Sequence, residues 1–373
     1  MTRRTPLAQA LRVALFSGGV MLLGFATVSS PIAAAQTAST ASAAALQVSA
    51  QAQLEGGIYE LAYDPAEDAL YVAVGGGRGD SGDGRIFVLD ADNLALERTI
   101  TTPNYNHGLA LNHASRVLYA SNARAGTLTS VKLGTGDETA TLQLSDVEAA
   151  RAREERPVQP RKVVVDERND LVYVSGVGFN DEGNSMIWKV DGGAFTLLDT
   201  FDGLGKGLTG LALSPDGERL YATAMGDGQV LVIDSQNGEV IDRFASGGER
   251  PINVAYDPDG NRLFVTNMGS GTVSVLNATD GELLHTIEAG EMALDVRVDT
   301  ERQRLYVTNR QGGTVEVFDT QDYARVSELE APPMPNSLEI DAASDRVFVS
   351  SRTYNNRETG ETRQGDIVYT LSP

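Results

Sequence analysis

Apolar and polar positions alternate in short runs along this chain, and the runs recur at a fixed spacing. Between residues 252 and 287 the apolar run Ile252–Tyr256 is followed by the turn Asp257-Pro258-Asp259-Gly260. Leu263–Thr266 comes next, then a Gly269-Ser270-Gly271 turn, Thr272–Leu276, the turn Ala278-Thr279-Asp280-Gly281, and Leu283–Ile287. Short runs rich in Val, Leu, Thr and Tyr, bounded by Gly, Asp, Asn and Pro, read as strands of successive hairpins. The pattern predicts four antiparallel strands per unit.

The unit repeats. Tyr256–Val273 and Val298–Val315 match almost residue for residue through Arg-Leu-aromatic-Val-Thr-Asn and Gly-Thr-Val. The aromatic after the Leu serves as a ruler: Tyr71, Tyr119, Tyr173, Tyr221, Phe264, Tyr306 and Phe348, with steps of 48, 54, 48, 43, 42 and 42. Seven four-stranded units predict an all-β protein, a seven-bladed β-propeller spanning 46–373, with the longer steps as loop insertions. An open solenoid is the alternative, but it uses parallel coils and shorter repeats. The seventh unit has strands near Leu338–Ile340, Val347–Ser350 and Ile367–Leu371 and lacks a fourth. The alternating segment Leu46–Leu54 is expected to supply it, closing the ring and removing the edges an open ring would expose.

Ahead of the repeats, Arg3, Arg4 and Arg12 flank the apolar run Val13–Phe25, and Ala33-Ala34-Ala35 offers a small-residue cleavage site. This predicts a secretory signal peptide over 1–35, a flexible low-complexity leader over 36–45, and no membrane span after cleavage. The expected location is the bacterial cell envelope, periplasmic or secreted.

Phe264-Val-Thr-Asn and Tyr306-Val-Thr-Asn, each followed by a Gly turn and Gly-Thr-Val, resemble the YVTN-repeat β-propeller family. Weaker copies are Tyr119-Ala-Ser-Asn, Tyr173-Val-Ser-Gly, Tyr221-Ala-Thr-Ala and Phe348-Val-Ser-Ser; Tyr71-Val-Ala-Val diverges most. With its expected signal peptide, the chain is similar to YncE-like secreted propellers and to surface-layer repeat proteins. The resemblance implies a seven-bladed propeller outside the cytoplasm and little about a shared reaction. Related propellers house haem, copper clusters or quinones, but the chain has no Cys and only three His, which removes the expected ligands. No cofactor and no metal is expected.

In a propeller the first strand of each blade lines a central channel. Aligned on Asp64, Asn112, Asp166, Ser214, Asp257, Asp299 and Asp341, the lumen-facing position two residues earlier reads Ala62, Ala110, Val164, Ala212, Ala255, Arg297 and Glu339. Strand alternation places Glu60, Gly108, Lys162, Gly210, Asn253, Asp295 and Ser337 one layer nearer the mouth. Such charges require partners, water or a ligand, and the plain structural alternative is an Arg297–Glu339 salt bridge between blades six and seven. Lys162 and Arg297 argue against Ca²⁺.

Charge sharpens this picture. The net charge of −21 becomes −24 without the signal peptide's three arginines. The loops between blades and between second and third strands carry 14 basic and 13 acidic residues, leaving −25 for the turns at the other end and the outer edge. The loop face therefore suits an anionic ligand despite the acidic whole. It also holds Tyr105, His107, Phe179 and Tyr354, expected to be exposed, and a charged segment, 146–156, expected to be a short surface helix ended by Pro157. The Arg78-Gly79-Asp80 triplet, the Asp80–Gly84 loop and the Gly75–Gly79 run carry little weight: each lacks the flanking residues that ligand binding needs. His113 and His285 read as structural.

The function expected from these residues is non-enzymatic. The chain is expected to be a monomeric cell-envelope binding or scaffold propeller that engages a protein or small anionic ligand. The ligand-binding candidates are Tyr59, Glu60, Tyr105, His107, Arg124, Arg161, Lys162, Arg250, Asn253, Asp295, Arg297, Arg310, Glu339 and Arg352. One alternative is a lactonase-like periplasmic hydrolase with Glu60, His107, Asp295 and Glu339 as acid/base candidates. Another is single-stranded nucleic-acid binding through Arg and stacked aromatics, which the net charge disfavours.

Overall fold

The computed structural model describes residues 46–76, 84–134, 136–180, 182–355 and 359–372. The expected signal peptide and leader lie outside them, as do most of the 75–84 motifs. Seven four-stranded antiparallel sheets follow one another, and their innermost strands touch in a closed circle. Blade five comprises Pro251–Asp257, Arg262–Asn267, Thr272–Asn277 and Leu283–Glu288, one strand for each sequence run. Blade seven is built from Pro335–Asp341, Arg346–Ser351 and Ile367–Ser372, with Gln47–Gln53 as its outer strand. Gln47 opposes Ser372 and Gln53 opposes Ile367, so the expected closure is present.

The core is divided among the junctions. Seven apolar clusters form, one between each pair of neighbouring blades, and each contains one of the seven ruler aromatics. Each aromatic is 3% exposed or less, and burial of such a side chain contributes about 2–3 kcal/mol. The repeat is therefore the packing unit: no blade covers its own faces.

The last two residues of the motif have separate duties. Asn267 Nδ2 donates to Ser274 Oγ at 2.8 Å, and Asn309 Nδ2 to Thr314 Oγ1 at 3.0 Å and Glu316 Oε2 at 2.8 Å, tying second strand to third. The hydroxyl before it ties blade to blade. Thr266 Oγ1 accepts from the Asn253 amide of its own innermost strand and donates to the Leu294 carbonyl of the next blade at 2.8 Å. Ser121, Ser175, Thr223, Thr308 and Ser350 repeat this relay at their junctions. Blade one has Ala73 at this position, and there the Glu60 amide bonds the His107 carbonyl directly at 3.3 Å. Thr266→Val keeps the shape but leaves a buried amide and a carbonyl unbonded. It should cost about 1–3 kcal/mol in chemical denaturation; an unchanged midpoint would show that the relay contributes nothing.

At the far end of the innermost strands, aligned Asx side chains cap the turns as expected: Asp64 Oδ1 accepts from Ala66, Asn112 Oδ1 from Ser115 and Asp257 Oδ1 from Asp259. Arginines then bind these caps across junctions. Arg116 of blade two reaches Asp64 and Glu67 of blade one, and Arg346 of blade seven reaches Asp68 and Asp92 of blade one. The expected helix is shorter than its charge pattern suggested. It spans Val147–Ala152, with Asp146 Oδ1 accepting from the Ala149 amide as N-cap. Only Val147 and Ala150 face the protein, too few to hold a longer helix down.

Candidate functional site

Six innermost strands carry a register shift against the second strand near the loop face, between residues such as Ile58 and Leu61, Pro160 and Val163, and Ala293 and Val296. Blade two makes the equivalent bulge, with His107 and Gly108 both bonded to Ser121. A bulge re-aims consecutive side chains. Both members of Tyr59-Glu60, Arg161-Lys162, Ile252-Asn253, Leu294-Asp295 and Asn336-Ser337 therefore line the mouth of the channel. Strict two-residue alternation identifies only the second member of each pair, so Thr209, Ile252, Leu294 and Asn336 escaped it. Only Tyr59-Glu60, Arg161-Lys162 and Asn336-Ser337 show the doubling in sequence, as polar doublets.

Two glycines set the spacing. A Cβ on Gly108 would lie 1.9 Å from the Arg161 carbonyl oxygen, so only glycine lets blades two and three approach there. A Cβ on Gly75 would strike the Tyr59 ring at 2.3 Å. Tyr59 thus lies flat on backbone. The Arg352 guanidinium stacks 3.7 Å from its centroid, His107 tilts against it at 4.6 Å, and Arg161 stands 6.0 Å away.

Arg310 and Arg352 follow the second strands of blades six and seven at equivalent positions, and both line the mouth. Burial, followed by the charge of Arg352, pushes Arg310 down to about 10; burial also lowers Arg352, with Arg161 adding to it. The Nε atoms of both are buried without a hydrogen-bond partner. Among the described residues no carboxylate forms an ion pair with Arg161, Arg310 or Arg352. Three guanidiniums are thus held together against their mutual repulsion.

The carboxylates of the mouth are engaged. Glu60 Oε2 receives Lys162 Nζ at 3.0 Å, and Asp295 Oδ2 accepts from the Leu338 amide at 2.8 Å. Asp295 Oδ1 faces Arg297 at 3.4 Å; the expected Arg297–Glu339 contact is present but looser, at 3.8 Å. Asn253 Nδ2 donates to the Leu294 carbonyl. His107, expected to be exposed, is 6% exposed beneath Tyr59, and burial together with Arg161, Arg352 and Arg124 holds its ring well below the usual imidazole range. Tyr105, Arg124 and Arg250 stand outside the mouth: Arg124 donates to the Gly76 carbonyl and lies over Tyr105, and Arg250 is an exposed loop residue. Among the described residues no cluster has a metal-binding ligand set, and no helix is long and apolar enough to cross a membrane.

Fold and mouth together define a seven-bladed β-propeller with a cationic, aromatic channel entrance. Residues 188–288 match the family described as "Lactonase, 7-bladed beta-propeller". The uncharacterised protein YncE of Escherichia coli (strain K12) is 34% identical over 184 residues, covering 49% of this chain and 50% of that one; YncE of Salmonella typhi matches to the same extent. The chain spans about half the length of the curated relatives it matches. Hydrazine synthase of Kuenenia stuttgartiensis superposes with a TM-score of 0.66 at 14% identity, covering 84% of this chain and 98% of that one, which is a likeness of fold alone. Over that half the chain is similar to YncE, and its fold is that of a seven-bladed β-propeller.

Proposed function

We propose that this protein is a non-enzymatic binding propeller of the cell envelope. Its channel mouth takes an anionic group, carried by a small ligand or by an envelope protein seated on the loop face. The observation that carries this reading is the arginine trio at Tyr59. Half-buried like charges with no carboxylate in ion-pair contact cost stability, and a binding site is where such a cost is offset by a ligand. The loop face adds Arg156 over Phe179 and Arg363 over Tyr354, the Arg-and-aromatic composition of interface hot spots. The lactonase alternative is not favoured. Its four acid/base candidates are Glu60, ion-paired; Asp295, doubly engaged; His107, buried; and Glu339, one layer deeper.

The test separates a binding role from a structural one. Arg310→Met with Arg352→Met should leave the ligand-free melting temperature unchanged or raise it, a gain of up to about 2 kcal/mol. Citrate and inorganic phosphate should raise the melting temperature of the wild type with concentration and leave the double variant unmoved. A variant that melts lower, beside a wild type indifferent to both anions, would overturn the reading.

A further inference from the structure

The mouth holds more positive charge than its own carboxylates neutralise. Its lining carries Arg161, Lys162, Arg310 and Arg352 against Glu60 and Asp295, a surplus of two. The layer beneath adds Arg297 and Glu339, which cancel. Lys162 is paired with Glu60 at 3.0 Å, and Asp295 shares Arg297 with Glu339, at 3.4 and 3.8 Å. Two charged groups outside the lining also act on it, Arg124 on His107 and Asp366 on Arg352. They too are opposite in sign, and Asp366 already accepts from the Gly57 and Thr353 amides.

The surplus converges on one place. Arg352 lies 3.7 Å and Arg161 6.0 Å from the centroid of the Tyr59 ring, and Arg310 stands close enough to feel the charge of both guanidiniums. Ser337 lines the same mouth, 2% exposed, with a hydroxyl that has no hydrogen-bond partner. Ile252 and Leu294 supply uncharged wall from blades five and six.

Resting on the anionic-ligand reading above, we propose that the mouth takes a doubly charged oxyanion centred on one atom, the terminal phosphate of an organic phosphomonoester, in preference to a singly charged ester of the same shape. One dianion cancels the surplus of two, whereas a monoanion leaves a half-buried guanidinium uncompensated. A dicarboxylate spreads its charge over two centres, while the three guanidiniums crowd beside one ring. Planar guanidiniums also match phosphate oxygens through paired N–H bonds. The organic part of the ester lies against Ile252 and Leu294.

Phenyl phosphate and phenyl sulfate, alike in shape, are the probes for calorimetry and for methyl NMR on the full chain. At about pH 8 phenyl phosphate carries two charges, its second ionisation lying at about pH 6, and phenyl sulfate carries one. Phenyl phosphate should bind about tenfold tighter or more and shift the methyls of Ile252 and Leu294. Acidification to about pH 5 should bring its affinity down to that of phenyl sulfate, which reports any titration of the protein itself. Arg310→Met with Arg352→Met should weaken phenyl phosphate by about tenfold or more and abolish the preference. Equal binding of the two esters, with the Ile252 and Leu294 methyls moving, would overturn the dianion preference and leave an anion site standing. Binding of neither ester, unmoved methyls at saturation, or undiminished binding in the double variant would overturn both. The comparison of the two esters needs no substitution, so it decides even where the double variant fails to fold.

Discussion

A chain lacking residues 46–55 should lose its single cooperative unfolding transition. The strand Gln47–Gln53 pairs along its whole length with Ile367–Ser372, and Ala50, Ala52 and Leu54 pack against the cluster between blades seven and one. At about 1 kcal/mol per ladder hydrogen bond, plus the lost apolar cover, the direct loss is on the order of 5 kcal/mol, a large fraction of a domain's whole stability. The indirect loss matters more. Each junction is buried only while both neighbours stand, so a blade seven of three strands exposes an edge and loosens the junctions on both sides of it. Calorimetry should show a lower, broadened transition, and an unchanged one would refute closure by this strand.

Arg346→Met should be the most damaging single substitution at the turn end, at about 3 kcal/mol. The Arg346 guanidinium is 14% exposed and joins Asp341 of its own blade, at 2.9 Å, to Asp68, at 2.5 Å, and Asp92, at 2.6 Å, of blade one; it also bonds the Tyr63 hydroxyl. Its removal strands Asp341, whose carboxylate is 5% exposed. The same substitution should change the acid response. Arg346 holds Asp68 below its ordinary range. Burial pushes Asp341 up, but hydrogen bonds from Ser344 and Arg346 overcome this and hold it low as well. Depressed carboxyls contribute stability that is complete above their unfolded value, near 3.9, and is lost as pH falls through the folded one. Wild-type stability should therefore decline on acidification below about pH 5, and the Met variant should decline less steeply. Parallel stability–pH curves would exclude the clasp as the cause.

The architecture was legible because the repeat is the packing unit: the same aromatic, hydroxyl and amide positions must recur wherever the same junction recurs. The four-strand unit, the count of seven and the closing strand all follow from that. The lumen was half legible. Counting back from Asp299 and Asp341 located Arg297 and Glu339, since alternation holds below the bulge. It failed at the bulge, where Ile252 and Leu294 turn inward beside Asn253 and Asp295, because one extra residue in a strand leaves no mark in composition. His107 was misjudged for a related reason: a loop-face position looked exposed until Tyr59, laid flat by Gly75, covered it. The arginine trio was present in the candidate list only as separate residues. That Arg310 and Arg352 crowd each other depends on two neighbouring blades, and adjacency across a ring is not written in either repeat alone.

The closing strand also fixes how the ring meets mechanical load. Gln47 lies directly opposite Ser372, so tension applied between these two residues pulls on one end of an antiparallel ladder. Its hydrogen bonds would then break one after another, from Gln47 toward Gln53, instead of sharing the force in shear. A ring held by seven buried junctions against heat and denaturant thus has one direction in which it opens like a zip, beginning with the outer strand of blade seven.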